Sequence, residues 1–390
     1  MEFDSEDFLD EINGKSINFL IGSGASVGVV PTLWIDSLGK SFEQLFTSET
    51  FDPKQIKSLY YLWFNLWIKK TQITNVNSEI ESVFKNYEKF ISSLIAISNR
   101  EGYDKPKRIN IFTTNYDTLF ELAFDNLASK YRLTFFNDGS RGFLKKYVSS
   151  ENFYLTAAHS GISNGFERSI PTINLIKLHG SVTWKKSNDN KMIEMSLDNP
   201  AFKEIVEKAE VVKAKLLSKK EESETELTEA IEFFCKEDSI LNECLTEEKI
   251  KKYINNINTI ASMELDEFKT KYDQLPIVSP TKKKFSETVF EQLYYQMLRM
   301  LSFELEKDSS ILIVFGFSFA DEHILEIVRR SMVNPTLKIY VIAYDFKSKS
   351  TIEEALGKGT NIDFLPNFDD LANSTKGDFD FLNKILEGKN

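Results

Sequence analysis

The chain has few cysteines, histidines, prolines or glycines and no surplus of positive charge, and each shortage excludes something. Its two cysteines, Cys235 and Cys244, are spaced unlike any metal-ligand pair, so they build neither a disulfide framework nor, without distant histidines, a four-ligand zinc site. Basic side chains number 48 against 59 acidic ones, a net charge of −11. Such a chain repels a phosphate backbone, which argues against direct nucleic-acid binding outside some local basic groove. Small phosphorylated ligands stay compatible, because backbone N–H groups at a helix start hold them without net positive charge. The N-terminal MEFDSEDFLDEINGK is acidic and lacks the apolar stretch of a signal peptide. No apolar run approaches the roughly 20 residues that cross a bilayer. The expectation is a soluble cytoplasmic protein, with no membrane partner and no metal. Nine prolines and 16 glycines are too few for a long flexible linker, and no internal repeat is visible.

What is present suits a large core. Hydrophobic residues make up 42 % of 390, and 32 phenylalanines predict an aromatic-rich interior. Short apolar runs at Ile17–Ile21, Ile109–Thr113, Ile173–Leu178, Ile311–Phe315 and Leu337–Ala343 read as buried strands. Helical spacing of apolar residues fills the intervals, at Thr118–Ser129, Phe285–Leu305 and Asp321–Met332. The pattern predicts an α/β, Rossmann-like parallel sheet with helices on both faces. A single domain is expected, its core at 14–39, 101–185 and 276–345. Helical insertions occupy 40–100, centred on SLYYLWFNLWIKK, and the Glu/Lys-rich stretch 186–275; a C-terminal segment spans 346–390. The charge run in the second insertion reads as a solvated face or a docking surface.

Four segments carry candidate chemistry. In INFLIGSGASVG, a strand runs into Gly22-Ser23-Gly24-Ala25-Ser26, where glycines allow a sharp turn and close approach to a pyrophosphate; a plain strand-to-helix turn explains it equally. Gly28 falls one place late for the dehydrogenase fingerprint, and no clear second strand follows about 20 residues on. In INIFTTNYDTLFE, Asn115 and Asp117 stand at the carboxyl edge of the sheet, where open α/β folds bind ligands. Asn115 offers donor and acceptor together, while Asp117 either accepts from a carboxamide or caps the next helix. INLIKLHGSVTW ends a strand in His179-Gly180, a position suited to proton transfer, although a lone histidine is more often structural. ILIVFGFSFADEH ends a strand in Gly316-Phe317-Ser318, within reach of a phosphate or ribose, or a simple strand–turn–helix. Asp345, after the last strand, has the chemistry to accept from an adenosine ribose.

In order and spacing, Gly-Ser-Gly-Ala-Ser, Thr-Asn-Tyr-Asp, Leu-His-Gly and Gly-Phe-Ser-Phe resemble the sirtuin superfamily. Its members carry a Gly-Ala-Gly loop, Gln-Asn-Ile-Asp, His-Gly and Gly-Thr-Ser in that sequence. The resemblance covers residues 14–30, 105–185 and 276–345. It implies NAD as substrate, its diphosphate held by Gly22, Gly24, Ala25 and Ser26, with Ser318 on a phosphate. It places Asn115 beside the nicotinamide ribose, Asp117 near the carboxamide, and His179 as general base. The paired Cys-x-x-Cys of the protein-deacylating members is missing, so no zinc domain is expected. The Pro-Asp-Phe-Arg element is replaced by Val30-Pro31-Thr32-Leu33-Trp34. The pattern is most similar to the bacterial sirtuin-like NADases of anti-phage defence, in particular the stand-alone kind paired with a HerA-type hexameric ATPase. That resemblance implies an NAD-depleting effector, with the two insertions as surfaces for homo-oligomer or ATPase contacts. An NAD or ADP-ribose sensor without turnover and a protein deacylase or ADP-ribosyl transferase are the competing readings.

Overall fold

Strands rich in Ile, Val, Leu and Phe bury both faces only inside a parallel sheet, and the chain builds one. The computed structural model describes residues 4–32, 34–46, 51–100, 107–161, 167–189, 191–220, 225–236, 245–278, 289–357, 359–368 and 375–389. The strands are β1 (Ser16–Ile21), β2 (Arg108–Thr113), β3 (Phe135–Asn137), β4 (Thr172–Lys177), β5 (Ser310–Phe315), β6 (Lys338–Ile342) and β7 (Ile362–Leu365). They lie in the order β7-β6-β5-β1-β2-β4-β3, and every pairing is parallel. The five strands expected from the apolar runs are all there; β3 and β7 are additions to them.

The longer helices are α1 (Ser5–Ile12), α2 (Pro53–Trp63), α3 (Glu81–Arg100), α4 (Leu119–Ala128), α5 (Pro200–Lys220), α6 (Thr225–Cys235), α7 (Glu247–Tyr272), α8 (Val289–Glu306), α9 (Glu322–Ser331), α10 (Phe346–Leu356) and α11 (Phe379–Glu387). The expected start of a helix at Phe285 lies outside the described residues. Ile17, Phe19 and Ile21 of β1 face α3, α4 and α11 in one core, together with Ile109, Ile111, Ile173 and Leu175. Leu20 and Phe112 face the other way, into a core with α8, α9 and α10. The chain thus leaves β1 toward one face and β5 toward the opposite face. The two strands are neighbours, so their carboxyl ends form the switch-point crevice where ligands bind in such sheets.

The expected insertion at 40–100 divides in two. Its last part, α3, packs on the sheet as the β1–β2 crossover. Its first part joins the second insertion in a separate aromatic core, which includes Phe42, Tyr61, Trp63, Trp67, Phe202 and Phe268. Asp52 and Gln55 form a capping box and Pro53 sits at the first turn, so α2 starts where its sequence dictates. It continues into a π-helical turn, Phe64–Ile68. Trp63 Nε1 donates to Tyr272 Oη at 3.1 Å, and Gln55 donates to Asn255 at 2.7 Å, across roughly 200 residues of chain. The Glu and Lys side chains of α5 and α7 form a solvated face outside this core, with ion pairs such as Lys208–Glu267 at 2.6 Å on exposed side chains. A small four-stranded antiparallel sheet is also present: Trp184–Lys186, Ile193–Met195, Lys146–Val148 and Ser140–Arg141, in that order. Among the described residues no helix is long and apolar enough to cross a membrane.

A row of buried asparagines crosses the central sheet. Asn18, Asn110, Asn174 and Asn137 stand at one register level on β1, β2, β4 and β3. Asn110 Nδ2 donates to Asn18 Oδ1 at 2.8 Å, Asn174 Nδ2 to Asn110 Oδ1 at 2.8 Å, and Asn137 Nδ2 to Asn174 Oδ1 at 2.9 Å. Asn18 Nδ2 ends the row on Ser310 Oγ of β5 at 3.2 Å. A one-residue slip of any strand would break this chain of amides and turn apolar side chains to the wrong face.

Replacing Asn110 with alanine orphans a buried acceptor on Asn18 and a buried donor on Asn174. Each costs about 1–3 kcal/mol, so the unfolding free energy should fall by about 2–6 kcal/mol. Chemical denaturation checks this, with the exposed Asn126→Ala as a control expected to change by less than about 0.5 kcal/mol.

Candidate functional site

The carboxyl ends of β5, β1, β2 and β4 bring most of the candidate residues to one edge. The β1 loop is a short 3-10 turn, Ser23–Ser26, pressed against the loop after β5. Gly22 N donates to Phe315 O at 3.0 Å and Gly24 N to Gly316 O at 2.9 Å. A Cβ on Gly22 would lie 2.4 Å from Gly316 O, one on Gly24 2.6 Å from Gly316 Cα, and one on Gly316 2.6 Å from Ala25 N. Gly316 also has φ +61, which glycine adopts without strain. These glycines let two main chains touch. Ala25 N donates to Gly22 O at 3.1 Å. The N–H groups of Gly22, Gly24 and Ala25 thus all donate within the protein, where the expectation had this loop on a diphosphate. In these two loops Ser23 is half-buried and Ser318 is exposed.

Ser26, expected at the diphosphate, is instead buried at the centre of a four-residue network. Its Oγ lies 2.7 Å from Asp117 Oδ2, 2.8 Å from Tyr87 Oη and 3.1 Å from Asn115 Nδ2. A carboxylate only accepts, so Ser26 gives its single proton to Asp117, and Tyr87 and Asn115 must donate to Ser26. Burial, with the nearby Asp117 charge, pushes the Tyr87 hydroxyl well above its ordinary pKa, in keeping with that donor role. Asp117 Oδ1 accepts from Leu119 N at 3.2 Å, so the carboxylate both braces α4 and anchors Ser26. Asn115 Nδ2 also donates to Gly22 O at 3.0 Å. With both amide protons committed, the remaining capacity of Asn115 is on Oδ1, an acceptor.

Beneath this turn Lys177, the last residue of β4, donates to Asp117 O and pairs with Glu121 Oε1 at 3.0 Å. Burial raises the Glu121 carboxyl, and the Lys177 charge opposes the shift. Thr118 Oγ1 donates to Ile73 O at 2.6 Å, tying the end of the first helical stretch to the same turn.

Asn115 and His179 leave adjacent strands at the same edge of the sheet. Thr113 pairs with Lys177 in adjacent parallel strands, and each residue of interest stands two places further on. Leu178 N donates to Thr113 O at 2.8 Å, extending the ladder past the strand ends. Gly180, at φ +82, turns the chain directly after the histidine. His179 is buried, its ring 6.4 Å from that of Tyr116 and 6.5 Å from that of Tyr294. Its Nε2 lies 3.1 Å from Asp321 Oδ2.

The remaining candidates lie apart from this cluster. Asp345 caps α10, with Oδ1 accepting from Ser348 N and Oγ, both at 2.7 Å; these bonds hold its carboxyl below the ordinary range. That oxygen is occupied by the cap rather than open to a ribose. Burial pushes the Cys235 thiol up to about 11, which makes it a poor nucleophile. Among the described residues no group of three or more His, Cys, Asp or Glu could hold a metal ion. Sequence reasoning missed two residues. Tyr87 sits within a helical pattern that gives no sign of the site, and Asp321 reads only as the start of a helix, which it caps through His323 N at 2.9 Å and Ile324 N at 3.1 Å.

Residues 109–193 match the SIR2-like domain family. The matched stretch begins in β2, ends in the small sheet and carries Asn115, Asp117 and His179. The SIR2-like match supports NAD binding and an NAD-dependent enzyme of sirtuin-like kind. The Gly22–Ser26 loop, the β5 loop and the aromatic helical lobe lie outside it. No curated protein matches the chain.

Two glycines with similar φ separate conformational strain from crowding. A Cβ added to Gly39, at φ +60, would have nothing within 4 Å, whereas one on Gly316 meets main chain at 2.6 Å. Gly39→Ala should cost about 1 kcal/mol. Gly316→Ala adds overpacking of about 1–3 kcal/mol. Thermal and chemical denaturation of the two variants test the difference; equal losses would mean that the loops are not in contact.

Proposed function

We propose that this protein hydrolyses NAD at the nicotinamide–ribose bond, giving ADP-ribose and nicotinamide. The observation that carries the reading is that Asn115 and His179 each stand two residues past the paired ends of adjacent parallel strands, inside the SIR2-like stretch. Nicotinamide in NAD is already a cationic leaving group. The site need only stabilise an oxocarbenium-like ribose and deliver a water. Asn115 is suited to hold that water, because its amide protons are tied to Gly22 and Ser26 and its carbonyl can accept. His179 takes the water's proton as the new C–O bond forms. The C–N bonding pair leaves with nicotinamide. In this reading Ser23 and Ser318 meet the phosphates, with Gly22, Gly24 and Gly316 keeping the two loops close.

A hydrolase needs no acyl-lysine groove, and the chain has no paired Cys-x-x-Cys. Motif resemblance supports an NAD-depleting role in anti-phage defence, restrained by homo-oligomer assembly or by a HerA-type hexameric ATPase. The aromatic helical lobe, with its charged outer face, is the surface for such contacts.

Incubation with NAD, with and without an acyl-lysine peptide, tests the reading by nicotinamide release. Release without peptide is expected; release only with peptide would make the protein a deacylase. Tight binding with no release, with the ATPase partner present, would make it a sensor. Asn115→Ala and His179→Ala should each lower kcat by at least about 100-fold while the protein stays folded by circular dichroism. Undiminished turnover in either would remove the assigned role.

A further inference from the structure

Asp321 is not part of the SIR2-like stretch, yet its carboxylate reaches the candidate base. Oδ1 accepts from His323 N and Ile324 N at the start of α9, while Oδ2 lies 3.1 Å from His179 Nε2. Both side chains are under a tenth exposed, His179 at 9 % and Asp321 at 6 %, so water does little to weaken the bond. We propose that Asp321 is a positioning residue that selects the tautomer of His179, so that Nδ1 is the atom that takes the proton from water. This deepens the hydrolase reading and rests on it.

The argument is one of donor and acceptor capacity. An ionised carboxylate has no proton to give, so Nε2 must carry one. A neutral imidazole has a single N–H, which leaves the lone pair on Nδ1. In the hydrolytic step the water oxygen bonds to the ribose carbon, its proton passes to Nδ1, and nicotinamide departs with the C–N pair. The imidazolium so formed is stabilised where it lies by the Asp321 charge. Asp321 is itself immobilised by the two α9 amides, and His179 by its main chain, since Val278 N donates to His179 O at 2.9 Å. Tyr116 and Tyr294 flank the ring, so Asp321 is the charged partner among the groups seen around it. The Asp321 charge, after burial, also raises the Tyr294 hydroxyl, which keeps that neighbour neutral.

The informative variant is Asp321→Asn. Asparagine is as good a helix cap as aspartate, so Oδ1 can keep both α9 amides. In place of Oδ2 it presents an NH2 group, which donates. Nε2 must then accept, and the proton moves to Nδ1, the atom that should be the base. Selective ¹⁵N labelling of histidine, with His179→Gln to assign the signal among three histidines, reads the tautomer directly by NMR. The expected result is protonated Nε2 in the wild type and protonated Nδ1 in Asp321→Asn. NAD turnover should fall on the order of 10²–10⁴-fold in kcat, with KM changed by less than about 3-fold. The wild-type pH–rate profile should show a basic group that the variant has lost or shifted.

Protonated Nδ1 in the wild type would overturn the proposal, as would an unchanged tautomer or unchanged kcat in Asp321→Asn. Because the NMR measurement needs no turnover, it stands even if the protein releases no nicotinamide. That outcome would sink the hydrolase reading and leave the His–Asp pairing tested on its own.

Discussion

The row of side-chain amides through the sheet is the constraint on which the rest hangs. Four strands and part of a fifth are pinned at one level by hydrogen bonds from Ser310 to Asn137. Apolar side chains alone would bury equally well after a two-residue slip, which preserves which face they point to. The amides forbid that slip, because each carbonyl and NH2 would then be orphaned inside the core. With the level fixed, Ile21, Thr113 and Lys177 end their strands together, and Gly22, Asn115 and His179 follow them at the same edge.

Above that platform, two devices shape the edge. Glycines let the β1 and β5 loops meet main chain to main chain across the switch point, where in many such folds the loops part to admit a phosphate. Here that contact uses the very N–H groups a phosphate would need. The other device is the hydroxyl of Ser26, which gathers a tyrosine, an amide and a carboxylate from three different segments. Lys177 and Glu121 brace the same turn from within the core. The result is an asparagine whose orientation is set before any ligand arrives, which is the sense in which a site is preorganised.

Much of this could be read in the sequence, for reasons that differ by element. Strands β1, β2, β4, β5 and β6 are runs of buried apolar residues, and their ends follow from the Gly, Asn, His or Asp that comes within the next three residues. β3 has three residues and β7 is half-exposed at the sheet edge, so neither has an apolar run to betray it. Three strands contain the pair Ile-Asn at matching places, at Asn18, Asn110 and Asn174. That repeat is visible, but a lone polar residue near a strand's start reads as a boundary until pairing shows it in the middle of the sheet. The glycines of the first loop pointed to the right edge for a different reason from the one that keeps them there. Asp321 could be recognised only as the start of a helix, because its other partner lies 142 residues away. The two helical stretches looked like independent insertions because nothing local reveals that one covers the apolar face of the other.

That last arrangement has a cost during biosynthesis. The Tyr60–Ile68 segment leaves the ribosome long before Phe202, Ile205 and Phe268, which cover it in the finished molecule. At about 5–20 residues per second, the interval before α5 begins to emerge is roughly 7–30 s. Throughout it, a cluster of tryptophans, tyrosines and phenylalanines has only the earlier Phe42 and Phe46 region to bury against, and lacks the cover that α5 and α7 later supply. The nascent chain therefore passes through an adhesive stage that neither half of the lobe can end alone, and its yield in a cell should depend on how well chaperones shield that one segment.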